Sequence, residues 1–323
     1  MICIRNGFPI KQFSRNASSF SQISARSSSF ESIFQPPPIN TYNGTPEYEN
    51  ISMLKPSHNS SERNQDPDAV FVISGSSRGM GLQYCKSLLD RTNGKLVACA
   101  RDVGSKALND LCKEYPDRVH ILELDVTNQS QIQLAASDVE SKFGRVDMLL
   151  NVAGILGDGG KSAPGPERNI RQLDREWFRQ NMEVNAIAPM MISQAFAPLM
   201  KSQKGKKILR PPSIIVNMSA RVGSISDNRH GGIGWHSYRM SKAALNMGTR
   251  VLSHELKRQG TWAISLYPGF TDTDMSKPFQ KGMKEGLIFP VDFTIGRMLD
   301  VIDGMEEKHS GGLFDWGGQA VPF

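Results

Sequence analysis

From Ala69 onward the chain keeps one rhythm, a short apolar run followed by a longer stretch with helical spacing. That rhythm constrains the fold more than any other feature. The apolar runs are AVFVISG at 69–75, KLVACA at 95–100, VHILELDV at 119–126, VDMLLNVAG at 146–154, SIIVNMSA at 213–220 and WAISLYPG at 262–269. Such runs are the pattern of strands buried on both faces. MGLQYCKSLLDR and SKALNDLCKEY carry helical spacing, as do stretches at about 129–143, 174–202 and 236–259, and GGLFDW near the end adds a last strand. Strands alternating with helices are joined by right-handed crossovers, which lays them parallel in one sheet. The predicted fold class is α/β, a doubly wound parallel sheet with helices on both faces. No repeat period points to a solenoid or propeller.

The first 66 residues do not share the rhythm. Residues 1–35 set Arg5, Lys11, Arg15 and Arg26 against a single acid, Glu31, among many serines and scattered Ile and Phe. An acid-poor amphipathic start with Arg and Ser reads as an organelle transit peptide, and a secretory signal would need a compact apolar core. The serines suit a chloroplast and the early arginines a mitochondrion, so the organelle stays open. A tail with no address would leave the protein cytoplasmic. Residues 36–66 begin PPP and remain polar and rich in Pro, Asn and Ser, the composition of a flexible linker. The expected organisation is this disordered extension followed by one folded domain over 67–323.

With 39% hydrophobic and 22% charged residues there is ample material for a core. Cys3, Cys85, Cys99 and Cys112 show neither CxxC pairing nor metal-ligand spacing, so they read as reduced thiols and no metal site is expected. The stretch NAIAPMMISQAFAPLM at 185–200 is interrupted by Asn185, Pro189, Gln194 and Pro198, which makes it a buried helix and no membrane span. The net charge of +6 is interleaved almost everywhere. Its one basic run, KSQKGKKILR at 201–210, reads as a solvated insert before a strand, with an anion-binding patch as the alternative, and nucleic acid is the weaker expectation for a partner.

SGSSRGMG at 74–81 lies where the first strand meets the first helix. Gly75, Gly79 and Gly81 let the backbone turn tightly and approach a pyrophosphate, with amides at the helix start facing its charge. Ser77 and Arg78 belong to the same loop. An NAD site usually places an acid at the end of the second strand, against the ribose 2′-hydroxyl. Here Ala100 is followed by Arg101, and Arg78 adds a second guanidinium, a pairing that favours the 2′-phosphate of NADP over NAD. Asp102 is either the acid displaced by two places or a cap for the next helix.

Tyr238 and Lys242 stand four residues apart, on one face of a helix. A neighbouring ammonium favours phenolate and lowers a tyrosine pKa, which makes Tyr238 a general acid for carbonyl reduction.

Taken in this order, these motifs resemble the short-chain dehydrogenase/reductase family from about residue 68 to 323. SGSSRGMG looks like its cofactor loop, LDVT at 124–127 its adenine-side motif, NVAG at 151–154 its Asn-Asn-Ala-Gly motif and YRMSK at 238–242 its active-site pair. VNAIAP at 184–189 looks like its helix asparagine motif and PGFTDTDM at 268–275 its nicotinamide loop. ARVGSISDNRHGGIGWHSYRMSKAALN and the ending GGLFDWGG are closer to the C-factor-like and sniffer-like carbonyl reductase branch. The resemblance implies a single Rossmann-type domain, an NADPH-dependent reduction of an aldehyde, ketone or quinone, and a dimer or tetramer. Tyr238 would donate the proton, Lys242 would hold the ribose, and Asn185 would hold a water in a proton relay. Asp125 and Val126 would meet the adenine, Asn151 and Gly154 would line the adenosine side, and Pro268, Gly269, Thr271 and Thr273 would surround the carboxamide. Each has a blander role open to it: Asn185 satisfying backbone groups, Asp125 capping a strand end, Thr273 shaping a turn.

Two departures from the pattern matter. Where the family places the serine that polarises the carbonyl, this chain has Ala220, and Ser219 stands one residue earlier, where a strand residue points to the other face. Ser219 is the expected donor if the strand end twists or bulges, with Ser224 and Ser226 as other hydroxyls in the loop. Val152 replaces the second asparagine of the paired motif. The weakened donor set motivates an alternative, a catalytically weak NADP-binding protein with a signalling or regulatory role. The substrate walls fall in the loop at 155–170, where GDGGKSAPGPERN reads as a flexible stretch, in the loop at 223–236, and in the segment after Met275, where Met275, Phe279, Met283 and Phe289 suggest an apolar lid or simply pack.

Overall fold

A computed structural model describes residues 56–157, 160, 163–228, 232, 234–281 and 286–323. The expected transit peptide and the linker up to residue 55 lie outside them. The strands, in chain order, are β1 (Val70–Ser74), β2 (Lys95–Ala100), β3 (Val119–Glu123), β4 (Met148–Asn151), β5 (Gln203–Lys204), β6 (Lys207–Ile208), β7 (Ser213–Met218), β8 (Thr261–Tyr267), β9 (Leu313–Asp315) and β10 (Ala320–Val321). Each apolar run read as a strand forms one. Eight of them make a sheet ordered β10-β9-β8-β7-β4-β1-β2-β3, and β5 with β6 makes a separate hairpin. All neighbours in the large sheet run parallel except β9 and β10.

The helices are α1 (His58–Gln65), α2 (Gly79–Arg91), α3 (Lys106–Glu114), α4 (Gln129–Phe143), α5 (Arg175–Met182), α6 (Ala188–Phe196), α7 (His236–Glu255) and α8 (Val291–Asp303). They cover both faces of the sheet, as the two-residue side-chain period of a strand requires. Phe71 and Ile73 of β1 join the layer containing Tyr84, Leu88, Leu108, Met298 and Ile302. Val70 and Val72, the alternate positions, join Ile132, Val139, Ile192 and Phe196. The architecture is a Rossmann-like doubly wound sheet.

The segment expected to be linker through residue 66 is ordered at its end. α1 starts on a Ser57 cap and packs against α8. Its Arg63 is 3% exposed and donates to Asp303 Oδ1 at 2.8 Å, and Asn64 adds a bond at 3.0 Å. The helix has no apolar stripe for periodicity to reveal; a buried ion pair anchors it instead. A second charge cluster plugs the amino end of the sheet. Asp147, 1% exposed, accepts the Val70 amide and is held by Arg145 at 2.7 Å and Arg210 at 3.2 Å. Arg210 is therefore spent on structure, although it closes the basic run.

Candidate active site

β1 and β4 are neighbours where the sheet reverses its direction of growth, with β2 and β3 on one side and β7 and β8 on the other. Open α/β sheets take ligands in the crevice beyond the carboxyl ends at such a point. Gly75 and Gly79 have φ of 80° and 54°, the left-handed region that glycine enters without a Cβ penalty. A Cβ on Gly81 would stand 2.1 Å from the Gly75 carbonyl oxygen, and one on Gly75 3.0 Å from the Ala153 backbone. α2 then begins with no side-chain cap and no acid in its first turn. This cradle fits a pyrophosphate, whose charge the helix start favours. Thr273 brings its methyl group to 3.8 Å from the Gly79 Cβ position, so the Pro268–Gly269 loop closes the crevice from the opposite side.

The rim carries Arg78 and Arg101, both exposed. Asp102 Oδ1 accepts the Gly104 amide at 2.9 Å, which assigns it to the turn before α3. Asp125 Oδ1 accepts the amide and hydroxyl of Thr127 at 2.9 and 2.8 Å. The Thr127 amide above all, with Arg101 nearby, holds this carboxyl below its ordinary range.

The YxxxK pair sits on the first turns of α7. Lys242 is 4% exposed, its ammonium donates to the Met218 carbonyl at 2.7 Å, and it lies 5.6 Å from the centre of the Tyr238 ring. Burial pulls this amine down to about 7. The Tyr238 phenol moves the other way from the sequence expectation. Burial raises it above its ordinary value, with the Tyr267 phenol adding to the effect. Desolvation of the phenolate outweighs an ammonium that burial itself disfavours. Tyr238 accordingly carries its proton at neutral pH, the state a general acid needs.

Asn185 lies in a π-helical segment, Glu183–Ile187, between α5 and α6. Such bulges recur at functional sites. The amide is fully buried and brackets Ile155, accepting its N–H at 2.8 Å and donating to its carbonyl at 2.9 Å, with Ser241 at 3.1 Å. A Cβ on Gly154 would stand 3.2 Å from Asn185 Oδ1 and 3.7 Å from Lys242 Nζ, so Gly154 forms the floor that brings the two together.

Several expected contacts turn away from the crevice. Ser219 is 2% exposed and donates to Asn246 Oδ1 at 2.6 Å, so its single hydroxyl proton is spent inside the fold. The strand end does not bulge to bring it round. Ser224 and Ser226 donate to the carbonyls of Pro322 and Phe323. Asn151 points into the layer below the sheet, donating to Asn217 Oδ1 at 2.8 Å across the β4–β7 pair. Thr271 is 5% exposed and bonds Pro268 and Thr294, each at 3.2 Å. The Val126 side chain joins the core under α4. Phe289, expected in a lid, packs on Trp316 at 4.6 Å between ring centres; Met283 lies outside the described residues.

Two residues that sequence reasoning missed shape the chemical end. Trp235 caps α7 with φ of 63°, the one non-glycine residue with positive φ among the described residues. Its ring lies edge-on to Tyr238 at 6.3 Å and beside Phe279 at 5.6 Å. Glu167, from the stretch read as flexible, is 2% exposed and accepts both the amide and the hydroxyl of Ser237. Its backbone carbonyl accepts the Trp235 amide at 2.5 Å, so it clasps the start of the helix that carries Tyr238. A glutamate among Gly and Pro gives no periodic signal, and a positive-φ tryptophan contradicts its own propensity.

The short chain dehydrogenase family model matches residues 69–284. The chain belongs to this family. An uncharacterized oxidoreductase of Schizosaccharomyces pombe is 30% identical over 266 residues, covering 79% of this chain and 97% of that protein. The C-signal protein of Myxococcus xanthus is 32% identical over 180 residues, covering 56% of this chain and 94% of that protein. Among solved structures, NADPH-bound carbonyl reductase from chicken fatty liver superposes with a TM-score of 0.69 at 30% identity, covering 79% of this chain and 99% of that one. The carbonyl reductase Sniffer of D. melanogaster gives 0.67 at 29% identity, covering 79% and 99%. The chain is thus an NAD(P)-dependent oxidoreductase with carbonyl reductases as structural neighbours. No helix among the described residues of this oxidoreductase is long and apolar enough to cross a membrane.

Proposed function

We propose that the enzyme reduces an aldehyde, ketone or quinone to an alcohol with NADPH. The observation that carries this reading is the buried Lys242 ammonium beside a Tyr238 phenol that retains its proton. A nicotinamide cofactor held by the cradle of Gly75, Gly79 and Gly81 would supply the hydride for the carbonyl carbon. Tyr238 gives its proton to the carbonyl oxygen as negative charge develops there. The Lys242 ammonium, held by the Met218 carbonyl beside the Tyr238 ring, favours the phenolate that proton transfer leaves behind, and Asn185 is fixed near it by Ile155. Trp235 and Phe279 offer aromatic faces to the organic part of the substrate. Support for NADPH comes from Arg78 and Arg101 on the rim, from Asp102 being engaged in its turn, and from the NADPH-bound structural neighbour.

Ser219 favours a second reading, a cofactor-binding protein with little turnover. Without a hydroxyl at Ala220, one hydrogen bond to the oxyanion is lost, which costs about 10² in rate. One experiment separates the two. NADPH consumption is followed against aldehydes, ketones, dicarbonyls and quinones, with Tyr238→Phe alongside. Turnover abolished in the variant supports the reductase; NADPH binding with no turnover across the panel supports the second reading; turnover unchanged in Tyr238→Phe refutes the assigned mechanism.

A further inference from the structure

The basic run that begins at Lys201 folds into the β5–β6 hairpin at the amino ends of β7 and β8. The Ser202 amide donates to the Gln259 carbonyl at 2.9 Å, and the Gln203 side chain donates to the Arg258 carbonyl at 3.0 Å. The crevice opens at the carboxyl ends of those strands, so the hairpin and the site lie at opposite ends of the sheet.

Pairing sorts the cations here into two groups. Arg210 is spent on Asp147, and Lys257 is paired with Glu307 at 2.8 Å. Lys201, Lys204, Lys206, Lys207 and Arg258 are exposed and form no ion pair among the described residues. Beside them Ile208 is 76% exposed and Leu209 53% exposed. A solvated insert accounts for the lysines and leaves these two aliphatic side chains in water without a reason.

We propose that this hairpin is a docking surface for an anionic lipid bilayer. Interfacial binding needs what the hairpin presents, cations at headgroup level with apolar side chains to enter the acyl boundary. A nucleic acid would use the lysines and leave Ile208 and Leu209 exposed, and single strands would call for aromatic stacking that the hairpin lacks. A docked hairpin leaves the crevice facing the aqueous phase, open to cofactor. The proposal does not depend on the assigned reaction.

The test uses flotation of the full chain with vesicles of phosphatidylcholine alone and of phosphatidylcholine with phosphatidylglycerol. The full chain is essential as the common background, because residues 1–35 are also basic. The wild type is expected to float with anionic vesicles and not with neutral ones, less so as salt rises. Each reversed lysine should lower partition more than the loss of one cation, which is worth about fivefold, so K204E/K206E/K207E should lower it by a hundredfold or more. I208S/L209S should weaken binding and keep its salt dependence. Both variants should retain the wild-type melting temperature, since none of these side chains is buried. Equal flotation of the triple variant and the wild type overturns the proposal. So does a wild type that ignores both vesicle types, or one that shifts duplex DNA while ignoring anionic vesicles.

Discussion

Lys242→Met tests the electrostatics of the site without any substrate. Lys242 is 4% exposed, and burial displaces its amine from 10.5 to about 7. Its folded value lies below its unfolded one, so between those limits the unfolded chain binds more protons, and stability climbs as pH rises. Holding this amine in the fold costs about 4 kcal/mol near pH 7 and about 2 kcal/mol near pH 9. Methionine keeps the length of the side chain and removes the titration. It also removes the bond to the Met218 carbonyl, but that offset is nearly constant with pH. Urea unfolding of cofactor-free wild type and variant should therefore show wild type gaining about 2 kcal/mol on the variant between roughly pH 7 and pH 9. Parallel curves for the two proteins would refute the assignment of a strongly depressed amine at this position.

Removing the rim guanidiniums one at a time, Arg78→Ala and Arg101→Ala, should raise the KM for NADPH about tenfold each and leave that for NADH nearly unchanged; equal effects on both cofactors would remove these residues from the 2′-phosphate. Arg63→Ala leaves the buried Asp303 carboxylate without its cation and with the Asn64 bond alone, so it should destabilise the protein by about 3 kcal/mol and speed amide exchange in α1 first. An unchanged melting temperature would mean that α1 is not anchored by this pair. Trp235→Gly relieves a left-handed tryptophan, a strain of about 1 kcal/mol, while deleting an aromatic face. The relieved strain and the lost contacts with Tyr238 and Phe279 nearly offset, so stability should change by no more than about 1 kcal/mol while the KM for aryl carbonyls grows about fivefold, and a KM equal to wild type would exclude Trp235 from the substrate wall.

The sheet was legible because each strand announces itself locally. β1, β2, β4, β7 and β8 are buried on both faces, so an apolar run marks each of them without reference to its partners, and the edge strand β3, half-buried and ending on an exposed Glu123, still carries enough of that run to be read. α4 and α7 fall where their spacing puts them. α1 and its docking on α8 were hidden, because His58–Gln65 carries no apolar stripe and is held by Arg63, a residue type that composition assigns to the surface. At the site, residue identity was readable and direction was not. Gly75, Gly81, Tyr238, Lys242 and Gly154 lie where the motifs place them, since each is fixed by backbone turn or helical phase. Ser219, Asn151 and Thr271 face inward because of partners distant in sequence, Asn246, Asn217 and Thr294. The phenol of Tyr238 follows the same logic. Helical spacing brought an ammonium near it, but the burial that governs its pKa comes from the whole fold.

The most direct measurement uses NADPH deuterated at the transferring C4 position, with a carbonyl that the wild type consumes. Mass spectrometry of the alcohol should find deuterium on the former carbonyl carbon with wild type and no alcohol above background with Tyr238→Phe. Oxidised cofactor without deuterated alcohol, or labelled alcohol formed equally well by Tyr238→Phe, would contradict hydride transfer completed by this phenol.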